Sequence, residues 1–139
     1  MIEKLLQDLQ FDEGWRDKPY RDSLGFLTIG FGFLIDERKA VSLPKPVGLY
    51  WLEYLAEERW SELIAALPWV EDADENVQRA LANMAYQLGI GGLLKFRKML
   101  DALKRGDRAT AAVEAISSEW AKQTPRRARR VAHLIAGST

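Results

Sequence analysis

The stretch FDEGWRDKPYRDSLGFLTIGFGF, residues 11–33, constrains the fold more than any other part of this chain. It begins at the end of an amphipathic helix, where Gly14 can take the left-handed conformation that closes a helix. Residues 18–33 then resemble a hairpin, with turn-forming residues at 22–25 and strand-like residues at 26–29. A helix that leads directly into a hairpin predicts an α+β arrangement.

Periodic apolar residues predict that most of the remaining chain is helical. The first apolar stripe, within residues 2–9, needs a core supplied from elsewhere. Residues 34–47 have no regular pattern. After them, a long helix is predicted over 48–67, ended by Pro68, and a second over 75–88, with Asp74 as N-cap and a break at Gly89. Three further helices are predicted: one over 95–104, one capped by Asp107 that runs through Ile116, and a last one opened by Thr124-Pro125.

The predicted architecture is therefore α+β and mainly α, in a single domain over residues 1–139. A small β-hairpin lobe spans about 13–47, and a connecting helix over about 48–67 could reach roughly 30 Å. The helical lobe takes residues 68–139 together with residues 1–11. With 139 residues, 47% of them hydrophobic, and no cysteine, the chain can bury a core without disulfides and has no thiol nucleophile.

Charge is unevenly distributed along a chain whose net charge is zero. Residues 1–90 carry a net charge of −7, and residues 91–139 carry +7. The basic half could attract a polyanion, although attraction between two lobes explains the same asymmetry.

Two carboxylates and one hydroxyl in the opening stretch could form a catalytic group. Glu13 lies at the junction of the helix and the hairpin, where partial burial is expected, whereas Asp22 lies on the turn. Thr28 lies on the returning strand, where its hydroxyl could hold a water. Glycoside hydrolysis uses a carboxyl acid together with a second carboxylate, so these positions suit that chemistry. Solvated acidic residues beside a hairpin explain the same pattern.

Other kinds of site receive less support from the sequence. The Gly30-Phe31-Gly32 motif lacks the third glycine of a dinucleotide fingerprint. His133, the single histidine, follows helical spacing on the last segment, which favours a structural role over a catalytic triad. No cluster has the spacing of metal ligands, so no metal is expected.

Four arginines, at 126, 127, 129 and 130, lie on the last predicted helix. They could bind phosphate or a cell-wall polyanion, with Trp120 available for stacking. A solvated helix with one arginine turned inward towards a carboxylate is the simpler interpretation. We expect a combination, in which one arginine points inward and the others point outward.

Three blocks of the sequence, in order along nearly the whole chain, resemble the phage-type lysozymes, the endolysin muramidases of bacteriophages. The blocks are the active-site signature, with EG at 13–14 and YRDSLGFLTIGFG at 20–32, the interior helix NMAYQLG at 83–89, and the C-terminal block WAKQTPRRARRV at 120–131.

This resemblance implies a lysozyme-like fold and hydrolysis of the β-1,4 bond between N-acetylmuramic acid and N-acetylglucosamine in peptidoglycan. Glu13 would be the general acid. Asp22 and Thr28 would position and activate the attacking water, with inversion at the anomeric carbon. Arg127 would be the inward arginine that pairs with the catalytic glutamate. The residues expected to line the saccharide cleft are Leu34, Tyr86, Gln87 and Gln123. No cofactor or metal is implied.

Three departures from the family pattern affect these expectations. Phe33 replaces a histidine that commonly follows Gly32, which removes any polar partner of Asp22 from that position. The segment 34–47 is shorter than in the best-known members. Met99 and Glu114 replace small polar residues of the cleft, so no binding role is assigned to them.

The N-terminus has early charges and no long apolar run, so neither a signal peptide nor a membrane anchor is expected. The resemblance implies synthesis in the host cytoplasm, action on the periplasmic cell wall, and a separate holin that permeabilises the membrane. A monomer without a nucleic-acid partner is expected. The alternatives are a non-catalytic module that binds peptidoglycan or a polyanion, and membrane disruption by the basic terminal helix.

Overall fold

The computed structural model describes residues 1–39 and 41–137. Ala40, in the segment predicted to be irregular, and residues 138–139, in the predicted helical lobe, lie outside the described residues. Within the described part, the chain forms seven α-helices, one short 3-10 helix and a three-stranded antiparallel sheet. The α+β, mainly α class predicted from the sequence is confirmed.

Helix α1 spans Ile2–Glu13, with its apolar residues on one stripe. It ends because Gly14 takes a φ of +66°, while the Gly14 N–H still donates to the Gln10 carbonyl at 3.0 Å. Leu5 and Leu9 of the stripe are exposed. The N-terminal unit therefore provides no core for this helix, and a core supplied from elsewhere stays a prediction.

The sheet has the order β1-β2-β3, with all neighbours antiparallel. Its strands are β1 Arg16–Arg21, β2 Leu27–Gly30 and β3 Phe33–Leu34. The hairpin of β1 and β2 lies where the sequence predicts it. Strand β3 was not predicted, because two residues are too few to show an alternating pattern, and Leu34 therefore belongs to the sheet instead of an irregular segment.

Helix α2 spans Lys45–Ala66 and so begins three residues before the predicted start at Gly48. Pro46 is tolerated there, because a proline in the first turn of a helix has no intrahelical hydrogen bond to lose. Leu63 is buried near the end of the helix. Pro68 then opens the 3-10 helix Pro68–Asp72.

Helix α3 spans Glu75–Leu94, and the Asp74 side chain caps it by accepting the Asn76 N–H at 2.9 Å. The break predicted at Gly89 is observed as a kink, because Gly89 has a non-helical backbone with a φ of +73°, and a second helical segment follows it through Leu94. The helices that follow are α4 Arg97–Lys104, α5 Arg108–Ile116, α6 Glu119–Gln123 and α7 Pro125–Ala136.

The core lies where α7 packs against α3, α5 and α6, and where α4 packs against α5. Its largest fully buried side chains are Leu63, Leu81, Met84, Leu93, Met99, Ile135, Val70 and Val131. The Arg108 side chain binds the end of α7, because it donates to the Ile135 carbonyl at 2.7 Å and to the Leu134 carbonyl at 3.0 Å. This packing fixes the helix that carries the arginine cluster.

The chain consists of two compact units, Met1–Val47 and Gly48–Thr139. The boundary falls in the first turn of α2. The assignment of residues 1–11 to the helical lobe, and of 48–67 to a connecting helix between lobes, stays a prediction.

Candidate functional site

Glu13 is the last residue of α1, and its carboxylate lies against the turn between β2 and β3. A methyl group added at Gly32 in that turn would lie 2.5 Å from Glu13 Oε2 and 3.1 Å from Cδ. Gly32 also has a φ of +75°. The glycine is therefore needed twice, for its backbone conformation and for the space that the carboxylate occupies.

The Glu13 side chain is nevertheless exposed. The N-terminal unit therefore does not provide the partial burial that was expected for Glu13 at the junction of the helix and the hairpin.

Asp22 closes the turn between β1 and β2. Its Oδ1 accepts the backbone N–H groups of Leu24 at 2.9 Å and Phe26 at 2.8 Å. Its own N–H donates to the Phe26 carbonyl at 2.9 Å. Among residues 1–39 and 41–137, no donor reaches Oδ2, so one oxygen sets the turn and the other can bind water or substrate.

Thr28 lies at the second position of β2 and is only 2% exposed. Its hydroxyl donates to the Phe26 carbonyl at 2.9 Å, which leaves the oxygen lone pairs to accept a hydrogen bond. Thr28 is opposite Tyr20 on β1 and opposite Leu34 on β3. Since directly opposite residues share a face of a sheet, Thr28 and Leu34 lie on the same face.

The N-terminal unit thus contains all three residues predicted to be catalytic, together with Leu34. Within the described ranges 1–39 and 41–137, the side chains of Glu13, Asp22 and Thr28 form no hydrogen bond with one another. Their catalytic roles stay predictions.

Phe33 is on the other face of the sheet, because it is opposite Ile29, the neighbour of Thr28. Its ring contacts Phe31 edge-on at 6.2 Å between centroids, and Phe31 contacts Trp15 at 4.9 Å. Phe33 therefore extends an aromatic cluster on the face opposite Thr28. Asp22 does not depend on a partner at this position, since the backbone of its own turn donates to it.

No role is predicted for Asp36 or Arg38 from the sequence, since both lie in the segment 34–47, which has no regular pattern. The Asp36 carboxyl is 5% exposed and accepts Arg38 Nε at Oδ1 and Arg38 Nη2 at Oδ2, each at 2.8 Å. The Arg38 guanidinium, followed by the Leu27 N–H, holds the pKa of Asp36 far below its usual range. The spacing Asp-x-Arg was the only signal in the sequence, and it is common on protein surfaces.

In the C-terminal unit, Tyr86 and Gln87 lie side by side on α3, and Tyr86 is 40% exposed. The Trp120 indole N–H donates to Gln87 Oε1 at 2.9 Å. Because tryptophan can only donate, the Gln87 oxygen must face it, and the amide nitrogen is left to donate elsewhere.

The stacking role considered for Trp120 is wrong. Its side chain is buried, and its ring packs edge-on against Phe96 at 5.8 Å. The Trp120 ring is therefore not available to stack on a base or a sugar.

Gln123 is the exposed last residue of α6, directly before a groove of about 540 Å³ at the start of α7. The groove is lined by Thr124, Pro125, Arg126, Arg127 and Arg130. Arg127 is half-buried, whereas Arg126, Arg129 and Arg130 are exposed. This division agrees with one inward arginine, and the pairing of Arg127 with Glu13 stays a prediction.

Among residues 1–39 and 41–137, no helix combines the length and the apolarity needed to cross a bilayer. Over the same residues, no three His, Asp or Glu side chains are grouped as metal ligands.

The chain is similar to known proteins over almost its whole length. It is 29% identical to "Probable T4-type lysozyme 2" and 28% identical to "Probable T4-type lysozyme 1", both of Dictyostelium discoideum, over alignments that cover 100% of this chain and 97% of each relative. It is 31% identical to "Pre-baseplate central spike protein Gp5" of Enterobacteria phage T4, over 91% of this chain but only 26% of that protein. The model of the family "Phage lysozyme" matches residues 10–135. By this match, which includes both units, the chain belongs to the phage lysozyme family.

Proposed function

We propose that this chain is a muramidase that hydrolyses the β-1,4 bond between N-acetylmuramic acid and N-acetylglucosamine in peptidoglycan. The observation that carries the proposal is the position of Glu13, whose carboxylate lies against Gly32 at the end of the hairpin that bears Asp22 and Thr28. Membership of the phage lysozyme family adds support.

In this mechanism Glu13 protonates the leaving glycosidic oxygen. The Oδ2 atom of Asp22 takes one proton from the attacking water as the water oxygen bonds to the anomeric carbon, and the Thr28 oxygen accepts a hydrogen bond from the second O–H of that water. Water held on the side of the sugar ring opposite the leaving group gives inversion. The first product would then be the α-anomer, which proton NMR of freshly digested peptidoglycan distinguishes from the β-anomer.

Saccharide binding is proposed for Leu34, Tyr86, Gln87 and Gln123. Leu34 shares a face with Thr28, and Tyr86 offers an exposed ring. The Gln87 amide nitrogen can donate to an acetamido or hydroxyl oxygen, because Trp120 already occupies the amide oxygen. Arg127 is proposed to pair with Glu13 and hold its carboxylate.

The decisive variant is Glu13→Gln, which retains the shape of the side chain and removes its acidic proton. We expect the release of reducing ends from purified peptidoglycan to fall at least about a hundredfold, within the range that general acid catalysis contributes. Asp12→Asn is the matched control, because it removes a carboxylate from the adjacent position of the same helix. Wild-type activity in Glu13→Gln would show that another group is the acid.

We further propose that the protein acts as an endolysin, made in the host cytoplasm and admitted to the periplasmic cell wall by a separate holin. A monomer without a nucleic-acid partner is part of the proposal. Co-expression with and without a holin tests the route, since lysis should require both proteins.

A non-catalytic module that binds peptidoglycan or a polyanion is the second candidate, and the arginine-lined groove at the start of α7 favours it. Wild-type protein that sediments with peptidoglycan but releases no reducing ends would establish it. Killing of bacteria by Glu13→Gln at the wild-type rate would instead indicate membrane disruption.

A further inference from the structure

The segment that follows β3 folds back onto the sheet through one buried carboxylate. Asp36 Oδ2 accepts the Leu27 N–H at 2.8 Å, and Oδ1 accepts the Arg38 N–H at 2.9 Å. The Arg38 side chain then binds both oxygens of the same carboxylate. We call this arrangement, Asp36 with Arg38, the clamp.

The clamp also reaches the turn between β1 and β2. Arg38 Nη2 donates to the Gly25 carbonyl at 2.7 Å. The ring of Phe26 faces two cations, with the Arg38 guanidinium carbon at 4.9 Å and Lys39 Nζ at 4.2 Å from its centroid. The clamp therefore contacts residues 25, 26 and 27 in succession.

These three residues lie between Asp22 and Thr28, the two residues proposed to control the attacking water. The Phe26 N–H holds Asp22 Oδ1, and the Phe26 carbonyl accepts the Thr28 hydroxyl. Gly25 is fixed at its carbonyl on one side of Phe26, and Leu27 is fixed at its N–H on the other. Any movement of Phe26 would move Asp22 and Thr28 together.

We propose that Asp36 and Arg38 are positioning residues for the hydrolytic site. They fix the positions of the Asp22 and Thr28 side chains relative to each other without touching the substrate. This inference rests on the proposed muramidase function. A misplacement of about 1 Å at a reacting group can lower the rate roughly a hundredfold, so a clamp acting through the backbone should affect turnover more than binding.

Arg38→Ala tests the clamp, with Arg105→Ala as the matched control. Each arginine is 57% exposed and pairs with an aspartate two residues away in sequence, but Arg105 lies on the C-terminal unit beside Asp107. On soluble peptidoglycan fragments, Arg38→Ala should lower kcat at least about tenfold and leave KM within about twofold. Arg105→Ala should retain the wild-type kcat.

Arg38→Lys provides a second, milder variant. Lysine retains a cation near Phe26 but cannot bind both Asp36 oxygens as the planar guanidinium does. Its kcat should fall between those of wild type and Arg38→Ala, and it carries the test if the alanine variant does not fold. A wild-type kcat in Arg38→Lys and Arg38→Ala, or a change confined to KM, would overturn the proposal.

Amide hydrogen exchange provides a measurement that does not depend on activity. The amides of Phe26 and Leu27 should exchange at least about tenfold faster in Arg38→Ala than in wild type, while Leu81 in the other unit stays protected. Unchanged protection at Phe26 and Leu27 would overturn the clamp. An inactive wild-type protein would instead refute the proposed function, and hydrogen exchange would still decide on the clamp.

Discussion

At the scale of single residues, the candidate site depends on one glycine and on how each carboxylate oxygen is hydrogen-bonded. Gly32 leaves room for the Glu13 carboxylate, and its positive φ turns the chain between β2 and β3. Asp22 accepts two backbone hydrogen bonds of its own turn at Oδ1, which leaves Oδ2 available to water or substrate. Asp36 uses both oxygens, which accept the backbone N–H groups of Leu27 and Arg38 and two N–H groups of the Arg38 side chain.

Gly32→Ala should impair both stability and activity. An alanine at a left-handed φ costs roughly 1–2 kcal/mol, and its methyl group would displace the Glu13 carboxylate. Gly106→Ala is the control, because Gly106 has a φ of +83° and nothing within 4 Å of an added methyl group. The melting temperature should fall for each variant, but only Gly32→Ala should lose peptidoglycan hydrolysis. Full activity in Gly32→Ala would contradict the proposed position of Glu13.

The stability of the protein should decline in acid through Asp36. Its folded-state pKa is depressed by Arg38, with Arg21 also 3.7 Å away, so the carboxylate stabilises the fold above the ordinary aspartate pKa of about 3.9. This contribution is lost as the pH falls below that value towards the folded-state pKa. Thermal melts from pH 7 to pH 2 should show Asp36→Asn less stable at neutral pH and less sensitive to acid. Parallel curves would contradict the assignment.

At the scale of secondary-structure elements, each unit uses short connections to place functional side chains. The three-stranded sheet puts Thr28 and Leu34 on one face and the aromatic cluster around Phe33 on the other. In the C-terminal unit, the hydrogen bond from Trp120 to Gln87 joins α6 to α3. An interior tryptophan thereby orients an exposed amide.

Trp120→Phe should weaken substrate binding. The change removes the donor to Gln87 but retains an aromatic ring against Phe96, so the expected loss of stability is about 0.5–1.5 kcal/mol. With its oxygen released, the Gln87 amide can rotate, and KM should rise several-fold while kcat changes little. Trp69→Phe, at a half-buried tryptophan of the 3-10 helix, is the control. An unchanged KM in Trp120→Phe would argue against a binding role for Gln87.

At the scale of the whole molecule, the proposed function requires residues from both units. Glu13, Asp22, Thr28 and Leu34 belong to Met1–Val47, whereas Tyr86, Gln87, Gln123 and Arg127 belong to Gly48–Thr139. Residues 1–90 are acidic and residues 91–139 are basic, which suits either attraction within the chain or recruitment of an anionic wall polymer.

Arg127→Ala should reduce activity less than Glu13→Gln and should also lower the melting temperature. If Arg127 pairs with Glu13, its loss removes that ion pair, and because the Glu13 side chain is exposed we expect only a small loss of stability. Arg126→Ala, at the exposed neighbouring position, should have little effect on either measurement. Equal melting temperatures for wild type and Arg127→Ala would count against the pairing of Arg127 with Glu13.

Much of the local structure was predictable, because its signals lie within a few neighbouring residues. The end of α1 at Gly14, the cap at Asp74, the cap at Asp107 and the proline that opens α7 were predicted and are observed. Strand β3 and the early start of α2 were missed, since a two-residue strand has no period and a proline usually marks a boundary.

The sequence by itself determined the α+β class, the order of the elements and the motifs that mark the phage lysozyme family. Each of these depends on residue types at short, fixed spacings. Only the tertiary structure decided that Asp36 is buried, that Trp120 faces Gln87 instead of solvent, and that Phe33 lies on the face opposite Thr28. Burial and the direction of a side chain depend on residues distant in sequence, so no local pattern predicts them.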